Sequence, residues 1–120
     1  MPYSRLGRLS REEDFRRVYR EGSRRTTALL VLHARPNGTE SVRLGLVVSR
    51  KFGGAVARNR VRRRMREAVR AEHGRIRIGA DVVVVPRRAA AAASYAALRG
   101  AVGMAMDRAG MGGAAEEGCR

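Results

Sequence analysis

The chain has 120 residues, and 26 lysines and arginines face 11 aspartates and glutamates, so its formal net charge is +15. This length suits one domain with a modest core and excludes two. A folded chain this basic is typical of proteins that bind nucleic acid. The single Cys119 excludes a disulfide framework. Since no stretch has the character of a secretion signal or the length of a membrane span, we expect a cytoplasmic protein.

An irregular basic arm is expected over the first ten residues, followed by a helix. Ser10 and Glu13 have the spacing of a capping box, in which each side chain bonds a free amide of the first helical turn. The helix is predicted from about residue 11 to residue 21. Gly22 is predicted to end it.

Strands follow this helix. Residues 26–34 and 41–49 are rich in valine and leucine, and the turn residues 36–39 between them predict an antiparallel hairpin. Residues 23–25 are expected to add an edge strand. Residues 81–86 are wholly apolar apart from their first residue, which is typical of a strand buried inside a sheet.

Two further helices are predicted, one before and one after the apolar strand along the chain. The first covers about residues 55–73, with an apolar stripe formed by Val61, Met65, Ala68 and Val69. The second is capped by Ser94 and reaches about residue 109, with an inward side formed by Leu98, Val102 and Met106. We therefore predict an α+β two-layer sandwich with a mostly antiparallel central sheet, in the order αβββαβα. Residues 1–109 would form one RNA-binding domain, and residues 110–120 a flexible Gly-rich tail.

The helix over residues 55–73 carries the strongest functional signal. Six arginines lie between Arg58 and Arg66, and helical spacing gathers most of them opposite the apolar stripe. Such a concentration of like charge predicts a polyanionic ligand. Asn59 adds a donor and an acceptor that could reach a base edge or a sugar hydroxyl. The spacing indicates a polyphosphate-binding helix and does not separate RNA from DNA.

Phe15 and Tyr19 form a second candidate site on the first helix. Their spacing is equally consistent with core packing. However, the same helix carries three arginines, and rings beside guanidinium groups are typical of a path for single-stranded nucleotides. Residues 49–52 could border this groove. His33 would then form a wall of the groove or a core residue.

The sequence offers little for catalysis by the protein itself. It has only two histidines, and Glu67 and Asp81 are isolated among basic residues, while the acidic run at residues 12–14 fits the electrostatics of a helix start. Neither a His pair nor a carboxylate cluster for metals is therefore predicted. We expect no catalytic residues and no metal ligands. The reacting groups of any enzyme that contains this chain would come from another component.

The chain resembles the protein subunit of bacterial ribonuclease P over about residues 5–107. The matching elements are Glu13-Asp14-Phe15-x-x-Val18-Tyr19-x-x-Gly22, Arg43-Leu-Gly-Leu-Val-Val-Ser-Arg-Lys51, Gly54-Ala-Val-Ala-Arg-Asn-Arg-Val-Arg-Arg-Arg-Met-Arg-Glu67 and Asp81-Val-Val-Val-Val-Pro86. The resemblance implies a ribosomal protein S5 domain 2-like fold. It also implies binding to a catalytic RNA that, with its own Mg²⁺, removes the 5′ leader of precursor tRNA.

By the same resemblance, two sets of residues would contact RNA. Those expected to contact the catalytic RNA are Arg58, Asn59, Arg60, Arg62, Arg63 and Arg66. Those expected to line a cleft for the 5′ leader are Phe15, Tyr19, Ser49 and Lys51, with His33 at a position where the family often has an aromatic residue. No Mg²⁺ is expected on the protein alone, and neither a membrane nor DNA is an expected partner.

Three other interpretations remain open. A structural RNA-binding protein of ribosomal type would need the same charge and fold but no cleft. A DNA-binding repressor could use the arginine helix, although strands rather than a helix precede it. A protein-only ribonuclease would have to cut RNA without an RNA partner.

Overall fold

A computed structural model describes residues 6–76 and 78–109. In this part of the chain, the helices and strands are β1 (Leu6–Arg8), α1 (Glu12–Glu21), β2 (Ser23–Thr26), β3 (Leu30–Pro36), β4 (Val42–Leu46), α2 (Ala55–Glu72), β5 (Ala80–Pro86) and α3 (Tyr95–Arg108). Short 3₁₀ turns occupy Arg50–Phe52, His73–Arg75 and Arg88–Ala92. The predicted tail from Gly110 and the first five residues of the predicted arm lie outside the described residues. Among the described helices, none has the length and apolar character needed to cross a membrane.

The five strands form one sheet in the order β1-β4-β5-β3-β2. β4 pairs in parallel with both β1 and β5, while β3 pairs antiparallel with both β5 and β2. The sheet is therefore mixed, and the prediction of a mostly antiparallel sheet needs this correction. The predicted edge strand at residues 23–25 is confirmed as β2.

The predicted hairpin between β3 and β4 was wrong, because β5 lies between them. Val82, Val83 and Val84 of β5 are fully buried, so this strand needs neighbours on both edges and cover on both faces. The prediction that it lies inside the sheet is confirmed. Inserting β5 separates the two strands that the turn at residues 36–39 suggested were partners.

Helices pack on both faces of this sheet. α2 and α3 cover one face, where their apolar residues meet Leu32, Val82 and Val84 in the main core, as the sandwich prediction requires. α1 partly covers the opposite face, where Val18 and Phe15 pack with Val83. Since successive strand residues point to opposite faces, β5 supplies apolar side chains to both layers. The sheet therefore separates α2 from α1.

The predicted helical stripes are confirmed in α2 and α3. Val61, Met65, Ala68 and Val69 are buried on α2, and Leu98, Val102 and Met106 are buried on α3. The Ser94 hydroxyl accepts a hydrogen bond from the Ala97 amide at 3.1 Å, which confirms the predicted cap. These apolar faces fix which side of α2 its arginines can occupy.

The start of the chain differs from the prediction. Leu6–Arg8 is a strand rather than an irregular arm, and the Leu9 amide donates to the Leu44 carbonyl at 2.9 Å. This pairing holds the backbone in an extended form up to the helix. Arg11 therefore occupies the N-cap position, and no side chain caps the helix, so the predicted Ser10 capping box was wrong.

The end of α1 follows the prediction for a spatial reason. Gly22 closes the helix, and its amide donates to the Val18 carbonyl at 2.8 Å. A Cβ at this position would lie 2.6 Å from the Val18 carbonyl oxygen and 2.7 Å from that of Ala34. Glycine is needed here because the chain passes too close to β3 for any side chain.

Candidate nucleic-acid interface

The exposed side of α2 presents a dense guanidinium surface. With Val61 and Met65 buried against the sheet, the polar side chains turn outward. A shallow groove of about 440 Å³ is lined by Val56, Asn59, Arg60, Arg62, Arg63 and Arg66. We call these six residues the arginine face. Five of the six residues predicted to contact the catalytic RNA thus lie together on one side of one helix.

The charges of this surface are not neutralised by the protein. Within residues 6–76 and 78–109, none of the six arginines from Arg58 to Arg66 has a carboxylate within 4.0 Å. On α1, by contrast, Arg16 and Arg17 each pair with a glutamate one turn earlier. The Asn59 side-chain oxygen accepts a hydrogen bond from Arg62 at 2.7 Å, which orients that guanidinium without reducing its charge. The arginine face is therefore suited to an external polyanion.

Arg58 and Arg64 lie apart from the arginine face. Arg58 is half-buried, and its Nε is buried without a hydrogen-bond partner among the described residues. Its side chain thus lies at the apolar edge of α2, although the resemblance places it with the others. The Arg64 guanidinium donates to the backbone carbonyls of Ala90 and Ala93. It fastens α2 to the 3₁₀ turn after β5.

Tyr19 and His33 meet on the opposite face of the sheet. Their ring centroids are 4.7 Å apart, and the planes are nearly perpendicular at 83°. Burial lowers the pKa of His33, and the charge of Arg24 lowers it further, while burial raises the pKa of Tyr19. Both rings are therefore neutral at pH 7. Because Tyr19 keeps 44% of its surface exposed, the pair is available to stack with a base.

Valines continue this surface toward the end of β4, with Val47 exposed and Val31 and Val85 half-buried. Val31 pairs with Val85 in the sheet, and the Val47 amide donates to the Val84 carbonyl at 3.1 Å. Strand alternation places Val31 and Val85 on the same face as His33. Ser49 and Lys51 follow β4 and are both exposed. We call the surface formed by Tyr19, His33, Val31, Val47 and Val85 the aromatic cleft.

Phe15 is positioned by a glycine. Its ring lies over Gly45, where a Cβ would come within 2.5 Å of two ring atoms. The ring is half-buried against Leu9, on the β4 side of α1, whereas Tyr19 lies one turn later beside β3. The two predicted cleft aromatics thus share a helix side but face different parts of the sheet.

Arg43 anchors α1 above this sheet. Its guanidinium donates to both carboxylate oxygens of buried Asp81, at 2.8 and 2.7 Å, and lies 3.7 Å from Asp14 of α1. Asn37 donates a further hydrogen bond to Asp81 at 2.9 Å. One arginine therefore links the central strand to the helix that carries Phe15 and Tyr19. Sequence reasoning missed this role, because the partners are far apart in the chain.

Nowhere in the described part of the chain do three or more His, Cys, Asp or Glu side chains gather as they would around a metal ion. Glu72 and Asp81 are buried acids, and each is engaged by arginines. These carboxylates are committed to ion pairs.

Comparison with known proteins identifies the family. Residues 3–110 match the family model described as Ribonuclease P. The chain is 40% identical over 115 residues to the ribonuclease P protein component of Roseiflexus sp. (strain RS-1), covering 95% of this chain and 94% of that protein. The chain belongs to the ribonuclease P protein family. Its fold agrees, since the ribonuclease P protein of Thermotoga maritima superposes with a TM-score of 0.76 at 34% identity, covering 84% of this chain and 96% of that one. The Staphylococcus aureus protein also superposes at 0.76, with 27% identity and coverage of 87% and 95%.

Membership in the ribonuclease P family makes this chain a subunit of a ribonucleoprotein endoribonuclease of tRNA processing. Its partner is the ribonuclease P RNA, and in this family catalysis is carried by that RNA. The predicted family, the α+β fold class and the predicted role as a ribonuclease P subunit are thereby confirmed. An RNA partner also gives a use for the unneutralised charge of the arginine face.

Proposed function

We propose that this subunit holds two RNAs on opposite faces of its sheet. The arginine face, together with Arg58, binds the catalytic RNA, and the aromatic cleft with Phe15, Ser49 and Lys51 binds the 5′ leader of precursor tRNA. The observation that carries the first assignment is that, in the described part of the chain, the α2 arginines from Arg58 to Arg66 have no carboxylate within 4.0 Å. Guanidinium groups grip phosphates bidentately, which suits a structured RNA surface.

The cleft assignment rests on neutral rings beside apolar strands. A single-stranded leader has unstacked bases, which can stack on aromatic side chains whatever their sequence. The exposed edge-to-face pair of Tyr19 and His33, at 4.7 Å, offers such a platform. A folded acceptor stem has its bases already stacked and would gain little from it. The cleft therefore favours precursors over mature tRNA.

The contribution to catalysis is indirect. We infer that the subunit screens the repulsion between catalytic RNA and precursor and holds the leader beside the scissile bond. Mg²⁺ would be held mainly by the RNA, and phosphate screening by a chain of charge +15 would lower the Mg²⁺ needed. We place this assembly in the cytoplasm, with precursor tRNA as substrate.

Reconstitution tests this function. The chain, mixed with a bacterial ribonuclease P RNA and precursor tRNA at low Mg²⁺, should release the 5′ leader faster than the RNA alone. The protein without RNA should leave the precursor intact. Cleavage by the protein alone would support a protein-only ribonuclease, and no stimulation of the RNA would contradict the proposal.

Replacing Phe15 and Tyr19 with alanine should weaken binding of leader-bearing precursor by the reconstituted complex about tenfold to a hundredfold. Base–aromatic stacking contributes about 1–3 kcal/mol per base, and at least one base loses its platform. Binding of mature tRNA should change less than about threefold. Tyr95→Ala is the matched control, since Tyr95 is 41% exposed at the start of α3, away from the cleft.

Dissociation constants are measured for precursor and mature tRNA with each variant, and the ratio of the two constants shows whether the preference for precursor is lost. If precursor and mature tRNA lost affinity equally, the chain would be a structural RNA-binding protein of ribosomal type without a leader cleft.

A further inference from the structure

A pocket of about 750 Å³ lies at the β1 edge of the sheet, between α2 and α1. Its walls come from β1 and the residues after it, from Phe15, from β4 and from α2. The lining residues are Leu6, Gly7, Arg8, Leu9, Ser10, Phe15, Leu44, Leu46, Arg62, Arg66 and Arg70. We call this the edge pocket. It joins the side of α2 to the ring that the resemblance assigns to the leader cleft.

The pocket exists because β1 is shorter than β4. β1 accompanies β4 only from Val42 to Leu44, and after Leu9 the chain turns away into α1. At Leu46 the inner edge of β4 pairs with Val84 of β5, while no described strand pairs with its outer edge. The gap exposes one side of the Leu46 strand edge and the half-buried ring of Phe15. The pocket therefore offers the Phe15 ring and the side chains of Leu44 and Leu46 as apolar contacts.

The rim is cationic. Arg62, Arg66 and Arg70 follow one another at intervals of one helical turn along α2. Only Arg70 has a carboxylate nearby in the described part of the chain, and its contact with exposed Glu67 is long, at 3.6 Å. Exposed pairs of this kind contribute little and exchange readily with a stronger partner. Three guanidinium groups thus border the apolar side chains of the pocket with most of their charge available.

A ligand with a flat apolar part beside an anionic part would contact the Phe15 ring and the arginine rim together. Pockets of a few hundred Å³ enclose ligands of this size, and arginine rims select phosphate. We propose that the edge pocket binds one unpaired nucleotide of single-stranded RNA, with its base against Phe15 and Leu46 and its phosphate on Arg66 and Arg70. The nucleotide comes either from the precursor leader or from an unpaired segment of the catalytic RNA.

This assignment adds Arg70 to the binding residues and gives Phe15 a function different from that of Tyr19. Phe15 faces the edge pocket beside α2, whereas Tyr19 forms the aromatic cleft with His33. A strand that passes from the cleft around the edge of β4 would reach the arginine helix without leaving the protein surface. The inference rests on the proposed function for the choice of RNA as ligand.

The test uses the free protein and a short oligouridylate, followed by NMR of its leucine methyl groups. The methyl signals of Leu44 and Leu46 should shift on titration, and uridine or inorganic phosphate added alone should shift them far less. Arg70→Gln should weaken this binding about tenfold and lower the slope of log affinity against log salt by about one. Arg108→Gln removes the same charge at the other edge of the sheet, near β2, and should change binding less than twofold.

Equal effects of the two substitutions would overturn the assignment. The aromatic ring signals of Tyr19 and His33 are followed in the same titration. Shifts of these signals while the Leu44 and Leu46 methyl signals stay unmoved would also overturn the assignment, because the oligonucleotide would then occupy only the aromatic cleft. In the reconstituted complex, 4-thiouridine is placed either in the leader or in the catalytic RNA. One of these two RNAs should crosslink to residues 6–10 or 44–46. Crosslinks from neither source would refute the pocket. A complex that fails to release the leader, while the oligouridylate still binds here, would contradict the proposed function alone.

Discussion

Replacing Arg62, Arg63 and Arg66 together with glutamine should lower the affinity of the chain for ribonuclease P RNA about a thousandfold. Each guanidinium–phosphate contact contributes about 1.5 kcal/mol or more, and tenfold corresponds to about 1.4 kcal/mol. These side chains lie on the exposed arginine face, and none has a carboxylate partner in the described residues. The substitution therefore removes binding charge without breaking an internal ion pair.

The salt dependence separates loss of phosphate contacts from misfolding. Each lost contact should lower the slope of log affinity against log salt by about 0.7 to 0.9, so the triple variant should lose about two to three units of slope. Filter binding or fluorescence anisotropy across a salt series measures both quantities. Circular dichroism should show unchanged helix content, since the buried stripe of α2 is untouched.

A control with the same charge loss uses exposed arginines from other elements. Arg16, Arg88 and Arg108 lie on α1, on the 3₁₀ turn after β5 and at the end of α3. Their joint replacement with glutamine should reduce affinity about tenfold or less, through the general field alone. Should both triple variants lose affinity equally, the arginine face would be no more than part of a diffuse positive surface.

Local patterns predicted most of the helices and the buried side of each. The spacing of Val61, Met65, Ala68 and Val69 fixed the orientation of α2, and hence the exposed position of its arginines, because a helix has one periodicity whatever surrounds it. The apolar run of β5 likewise predicted a central strand. These features depend on residues close together in the chain.

Strand pairing could not be predicted in the same way. β3 and β4 have the sequence of a hairpin, but β5, more than thirty residues later, pairs with both of them. β1 is three residues long and carries an arginine, so nothing local marks it as a strand. Its pairing with β4 also moves the start of α1 and removes the predicted Ser10 cap. Sequence-distant contacts overrode local preference in each case.

The candidate sites also differ in whether their residues lie close together or far apart in the chain. The arginine face could be predicted, since its residues lie within one helix. The edge pocket could not, because it needs β1, β4, α1 and α2 together. Arg70 carried a local signal, being one helical turn beyond Arg66. The link from Arg43 to both Asp14 and Asp81 had no such signal, although it holds the helix that carries both aromatic residues.

Asp81→Asn should lower the free energy of unfolding by about 2–3 kcal/mol. The carboxylate is buried and accepts two hydrogen bonds from Arg43 and one from Asn37. The amide has an NH2 group in place of one carboxylate oxygen, and this group donates hydrogen bonds instead of accepting them. At least one charge-assisted hydrogen bond is therefore lost. The loss falls below the 3–5 kcal/mol typical of a broken buried pair, since the Arg43 side chain remains 37% exposed and can be hydrated. Urea unfolding at pH 7 measures the difference.

The pH dependence of that difference has a defined sign. Burial alone raises the pKa of Asp81, but the hydrogen bonds from Arg43 and Asn37 and the charges of Arg43 and Arg35 outweigh it, so its pKa is lowered on folding. The stabilisation is therefore complete above the unfolded pKa of about 4 and is lost as the pH falls through the folded pKa. The gap between the native chain and Asp81→Asn should be constant from pH 7 to about pH 5 and narrow in more acidic solution. A gap that widened in acid would contradict the ion-pair account.

The Asp81→Asn substitution should also weaken leader binding at the aromatic cleft and Phe15. Without Asp81 the Arg43 guanidinium loses its fixed position, and its contact with Asp14 of α1 loosens, so Phe15 and Tyr19 are held less firmly. We expect the preference for precursor over mature tRNA to fall, though less than in the Phe15 and Tyr19 double variant. Glu72→Gln is the control, because Glu72 is a buried acid paired with Arg75 and Arg99 between α2 and α3. It should destabilise the fold yet leave the preference intact; if it lowered the preference as Asp81→Asn does, the effect would come from general instability and not from the position of α1.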